Sequence, residues 1–250
     1  MELRPFIGLF GVQTVEERRE LSRIAPAFQG RPHRLLLGTY ADGRTLAGSP
    51  TRRFRPCSGT LVDLCARSPD VSHAVHYTPH PDHHLAEQLA MLMALCPDLD
   101  VLILHVPWPD ERIIGAFRKQ WPGVSLVLWV SEECFLDLCD KATRVADRIA
   151  DYVRGGLTDG VMLDVAAGRG APVDQTKAVH VLRQLKKGSV AVPCGIAGGL
   201  SHDRFDAGLS NIVREFSPLS LVASSQLRRE GRIDPLLAQR FADRALLASA

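Results

Sequence analysis

Short apolar runs alternate with longer amphipathic stretches along the whole chain. Eight of the runs lack polar alternation: residues 5–10, 34–39, 73–78, 101–106, 125–130, 160–164, 190–196 and 220–224. A parallel strand covered on both faces has this pattern, because neither side meets water. Each run is followed by a helical pattern of roughly ten or more residues. Thr14 precedes Glu17 at capping-box spacing and predicts the start of the first helix. Ser131-Glu132-Glu133 opens the fifth with acid in its first turn. Ser201 opens the seventh, and Asp234-Pro235 the eighth, with Pro at the tolerated first position. In the third, Leu85, Leu89, Leu92 and Met93 form a one-faced apolar stripe. Eight β-then-α units predict an α/β fold, a single (β/α)8 TIM barrel over residues 1–250, a typical length for that fold. An open doubly wound sheet is the alternative. No dinucleotide fingerprint follows the first run, where Gly8 and Gly11 stand alone.

In such barrels the chemistry collects at the C-terminal ends of the strands. The polar residues there are Gln13, Thr39, Tyr40, His76, Tyr77, His105, Ser131, Asp164, Gly198-Gly199 and Ser224-Ser225. Asp164 closes the run Val161-Met162-Leu163-Asp164 and is a candidate acid or base, or else a loop cap. His105 and His76 sit on apolar strands and read equally as catalytic imidazoles or as satisfied core residues. Three small-residue elements predict a phosphate site. They are Gly168-Arg169-Gly170 after the sixth run, Ala197-Gly198-Gly199-Leu200 after the seventh, and Ser224-Ser225 after the eighth. Glycine lets backbone N–H groups close on an anion, and a helix opening there favours negative charge. The long connection from Tyr40 to Ser58 would lie on the same face. Its Arg52, Arg53 and Arg55 could clamp an acidic group or form a solvated basic loop. Trp108 and Trp129 at strand ends could stack on a ring, with packing the plainer reading.

Composition narrows the field. Apolar residues make up 46% of the chain and charged residues 23%, enough for a core and against intrinsic disorder. A net charge of +2 without a clustered basic face argues against nucleic acid as a partner. None of the six cysteines has zinc-knuckle spacing. His80, His83 and His84 are interrupted by Pro81 and lack an evident third ligand, so no metal and no cofactor are expected. No apolar stretch reaches membrane-spanning length, and Met1-Glu2-Leu3-Arg4-Pro5 does not read as a signal peptide. The expectation is a cytoplasmic monomer or homodimer whose partner is a small phosphorylated metabolite.

In chain order these motifs resemble the phosphoribosylanthranilate isomerase family, barrel enzymes that carry out an Amadori rearrangement in tryptophan biosynthesis. The resemblance rests on Ile103-Leu104-His105-Val106 and on Met162-Leu163-Asp164, the latter followed by Gly168-Arg169-Gly170 and Asp174. It continues through Ala197-Gly198-Gly199-Leu200, Ser224-Ser225-Gln226-Leu227 and Gly231-Arg232-Ile233-Asp234. It implies a phosphate site and an acid at Asp164. The family's first strand carries a Cys that acts as the base; this chain has Gly8-Leu9-Phe10-Gly11, and Phe10 cannot accept a proton. The family's Ser-Pro-Arg, whose Arg holds the anthranilate carboxylate, becomes Ser49-Pro50-Thr51-Arg52 in a longer loop, so Arg52 or Arg53 would substitute. These departures imply a divergent paralogue with changed chemistry. The expected function is isomerase-like acid–base chemistry on a small phosphorylated, phosphoribosyl-type substrate, as an isomerase or lyase. The alternative is a non-catalytic barrel that binds a phosphometabolite or a partner protein.

Overall fold

A computed structural model describes residues 3–48, 55–69, 71–164, 175–205 and 208–249. Its strands are β1 Phe6–Phe10, β2 Arg34–Asp42, β3 Ser72–Thr78, β4 Val101–Leu104, β5 Ser125–Val130, β6 Gly160–Asp164, β7 Cys194–Ala197 and β8 Ser220–Ala223. They pair in parallel in chain order and close into a barrel, with Gly8 of β1 opposite Val222 of β8. This is a (β/α)8 barrel.

The helices are α1 Val15–Ser22, α2 Gly43–Leu46, α3 Ser58–Cys65, α4 Leu85–Leu95, α5 Glu111–Gln120, α6 Glu132–Asp137, α7 Ala142–Arg154, α8 Gln175–Lys187, α9 Leu209–Glu215 and α10 Pro235–Ala248. Several caps fall where the sequence places them. The Thr14 hydroxyl accepts from the Glu17 N–H at 3.1 Å, and Asp234 caps α10 through the N–H groups of Leu236 and Leu237. Ser131 opens α6 without a side-chain cap bond. No helix among the described residues is long and apolar enough to cross a membrane.

Four expectations are corrected. β4 ends at Leu104 rather than 106, so His105 lies just past the strand, its N–H donating to the Tyr77 carbonyl at 2.9 Å. β2 runs on to Asp42, because its ladder with β3 continues through Asp42 opposite Thr78. β7 starts at Cys194 rather than 190: the Val190 N–H closes the end of α8 onto Leu185 at 3.0 Å, and Pro193 has no N–H to donate. Ser201 leads into a single 3₁₀ turn, His202–Phe205, held by an Arg204 N–H to Ser201 C=O bond of 3.2 Å, and the α-helix of that unit is α9. The turn after β7 therefore lacks an α-helical N-terminus directly behind it.

Strand alternation divides the apolar residues into two layers. Outward-facing residues pack under the helices. Inward-facing ones fill the barrel: Phe6, Leu36, Ala74, Val101, Ile103, Val127, Met162 and Val222, with Phe10, Trp129 and Tyr40 above them. The Phe10 ring is wholly buried and lies over two glycines. A Cβ on Gly8 would stand 2.8 Å from the ring, and one on Gly38 would collide with it. Phe10 therefore occupies the interior because its neighbours on β1 and β2 have no side chains.

Candidate active site

The inward residues at the C-terminal strand ends form a mouth with two unlike halves. Strands β1 to β5 contribute rings. Tyr40 meets Phe10 edge-on at 6.3 Å between centroids and lies 5.1 Å from His76. His76 lies 4.3 Å from Trp129 and stacks on His105 at 5.2 Å and 27°. Strands β6 to β8 contribute small and polar groups: Asp164, Gly198-Gly199 and Ser224. In register, Asp164 is opposite Ala197, and Ala197 opposite Val222, so these three elements leave the barrel side by side.

The two histidines differ. His76 is buried, and neither ring nitrogen has a hydrogen-bond partner among the described residues. Burial holds its pKa well below the ordinary imidazole value, and the charges of His105 and Arg55 push the same way. His76 is therefore a neutral ring inside an aromatic stack. His105 is half-buried at the mouth. Burial lowers its pKa too, opposed by the carboxylates of Asp164 and Glu133 and aided by Arg55. Asp164 is thus close enough for its charge to act on His105.

Tyr40 spans the halves. Burial raises the pKa of its phenol, while the Ser224 hydroxyl and the Arg228 and Arg55 guanidiniums work against that rise. Gly198 and Gly199 have φ of +95° and +63°, backbone that side-chain-bearing residues rarely adopt, so the turn needs both glycines. Ser224 is half-buried at the mouth, and Ser225 is exposed at the start of a 3₁₀ turn. Arg55 pairs with Asp42 at 3.1 Å. Trp129 and Trp108 both carry a buried indole N–H without a partner among the described residues. Trp108 packs against Tyr152 at 6.2 Å. Tyr77 points outward, donating to Gln88 at 2.9 Å, and is structural.

Gly168, Arg169, Gly170 and Asp174, like Arg52 and Arg53, lie outside the described residues. The other predicted residues, Asp164, His105, His76, Gly198, Gly199, Ser224 and Ser225, come together at the mouth or its rim. His80 stands elsewhere, with its ring 5.0 Å from His83 and its N–H donating to Gln88 at 2.7 Å.

Phosphoribosylanthranilate isomerase from Thermotoga maritima aligns over 97% of this chain and 98% of its own, with a TM-score of 0.66 and 13% identity. A phosphoribosylanthranilate isomerase in complex with reduced 1-(o-carboxyphenylamino)-1-deoxyribulose 5-phosphate aligns over 97% and 98%, with a TM-score of 0.64 and 12% identity. The fold is that of a phosphoribosylanthranilate isomerase-like barrel. A citrate lyase from Burkholderia xenovorans aligns over all of this chain and 78% of its own, with a TM-score of 0.58 and 12% identity, so the architecture alone does not fix a reaction. No family model matches the sequence, and no curated protein sequence matches it.

Sequence reasoning missed the clamp that joins the barrel's last and first units. After β8 a hairpin forms from β9 Arg228–Arg229 and β10 Arg232–Ile233. The Arg228 guanidinium donates to the Gly11 carbonyl and, at 2.6 Å, to the Gly231 carbonyl. Glu17 is 2% exposed; its carboxylate accepts from the N–H groups of Gln13 at 2.8 Å and Ile233 at 3.3 Å. The capping-box spacing points to Glu17, but its carboxylate serves the residue before Thr14 and the distant hairpin.

Proposed function

We propose that the mouth binds a small phosphorylated, ribosyl-type substrate and performs acid–base chemistry on it, as an isomerase or lyase. The observation that carries this reading is Asp164 acting on a half-exposed His105 beside the Gly198-Gly199 turn. An imidazole held below its ordinary pKa is neutral near pH 7 and can accept a proton. The Asp164 carboxylate would stabilise the imidazolium as it forms and could carry the return proton. His76, buried and stacked on His105, is a positioning residue in this reading. The phosphate would rest on the backbone N–H groups of Gly198 and Gly199 and on Ser224 and Ser225. Gly168, Arg169 and Gly170 would join it, and Arg52 and Arg53 would hold an acidic group on the other half of the substrate. The solved isomerase complex with a deoxyribulose 5-phosphate compound supports this choice of substrate class. The anthranilate reaction itself is not expected, because Phe10 is buried and has no atom that accepts a proton.

The test is turnover of a panel of ribosyl phosphates by the wild-type chain and by Asp164→Asn. The variant should lose about 10²–10⁴-fold in kcat/KM, the range for removing a general acid or base. Wild-type activity in the variant would remove Asp164 from the mechanism.

A second reading, a non-catalytic phosphometabolite-binding barrel, is favoured by the Phe10 ring packed over Gly8 and Gly38. Calorimetric titration of the same panel separates the two: binding without turnover supports the second reading, and turnover removes it.

A further inference from the structure

We propose a second binding site, for a small oxyanion-bearing molecule, at the N-terminal end of the barrel, away from the mouth. Arg4 precedes β1, Arg34 and Ser72 open β2 and β3, Asp100 precedes β4, and Arg67 and Ser68 lie between α3 and β3. Together they line a cavity of about 620 Å³. That is within the roughly 300–1,000 Å³ of small-molecule sites.

Among the described residues the charges do not balance: three guanidiniums line the cavity with one carboxylate, Asp100. Asp100 already accepts from the His73 N–H at 2.8 Å. Among the described residues Arg4 donates to the Arg31 and Pro32 carbonyls, at 3.1 and 3.2 Å, which carry no net charge. Arg34 donates to the Ser72 hydroxyl at 3.0 Å, but its Nε and a second terminal nitrogen are buried with no partner among the described residues. A guanidinium withdrawn from water ordinarily meets a carboxylate, a phosphate or several carbonyls. Burial lowers the pKa of Arg34, Asp100 opposes the shift and Arg4 adds to it. A phosphate monoester or a carboxylate would supply the missing countercharge, since the guanidinium fork matches both groups. The Ser68 and Ser72 side chains add polar partners.

The test uses the full chain, its Arg4→Ala/Arg67→Ala variant, and inorganic phosphate and malonate as probes at constant ionic strength. Both substituted side chains are exposed, and circular dichroism checks that the fold is kept. Amide resonances of Ser68 and Ser72 report this site. Those of Gly198 and Gly199 report the mouth, so failure here is distinguishable from failure of the proposed function. The expected result is a saturable shift at Ser68 and Ser72 that weakens about tenfold or more in the variant, each tenfold being about 1.4 kcal/mol. Response to one probe alone identifies phosphate or carboxylate as the ligand group. No saturable shift at Ser68 and Ser72 with either probe, or an unchanged affinity in the variant, overturns the proposal.

Discussion

The His105 imidazole stands at the mouth between opposing influences, with burial and Arg55 pulling its pKa down and Asp164 and Glu133 pulling it up. Burial dominates, so in the folded chain it is neutral above a pKa that lies below the ordinary 6.5. A base of this kind works near pH 7 and fails as pH falls through its pKa. An NMR titration should show His105 taking up its proton below pH 6.5, and Asp164→Asn should move that titration lower still, because a raising charge is gone. An unchanged His105 titration in the variant would break the proposed pairing. Phe10 makes a separate residue-scale prediction. Gly38→Ala should cost about 1–3 kcal/mol, because its Cβ meets the Phe10 ring. In a Phe10→Ala background the penalty should vanish, since the ring is what the methyl strikes. Urea denaturation of the four chains measures this coupling, and simple additivity would refute the packing account.

At the scale of elements, the clamp between the first unit and the β9–β10 hairpin has two arms, the Arg228 guanidinium and the buried Glu17 carboxylate. Removing the carboxylate leaves the Gln13 and Ile233 N–H groups without their acceptor. Glu17→Ala should therefore destabilise the chain by about 1–3 kcal/mol, read as a lower urea midpoint; an unchanged midpoint would mean that the carboxylate arm contributes nothing. Elements were legible in the sequence where burial on both faces wrote an unbroken apolar run. β5 and β6 fall on residues 125–130 and 160–164, as their runs predict. β2 was legible only in part, because its extension through Tyr40-Ala41-Asp42 depends on the β3 ladder rather than on hydrophobicity. The run at 190–196 reads too long, because Val190 and Val192 have strand propensity that the end of α8 and Pro193 override.

Across the whole molecule, the candidate site was legible because a closed parallel barrel brings all C-terminal strand ends to one face, whatever their separation in sequence. Asp164, His105 and His76 follow from that rule alone. The nearness of Tyr40 to Ser224, and the reach of Arg228 to Gly11, depend on how distant side chains cross the mouth, and no local pattern records it. The resulting barrel has a ring-lined half and a polar half at one end, and an arginine-rich cavity at the other. The central claim is that the polar half grips a phosphate beside Asp164 and His105. The most direct measurement is a crystal structure of the chain with ribulose 5-phosphate. The account predicts the phosphate against the Gly198-Gly199 turn and Ser224, with the sugar toward Asp164 and His105. An empty mouth at saturating ligand, whether or not ligand occupies the arginine-rich cavity at the other end, would contradict it.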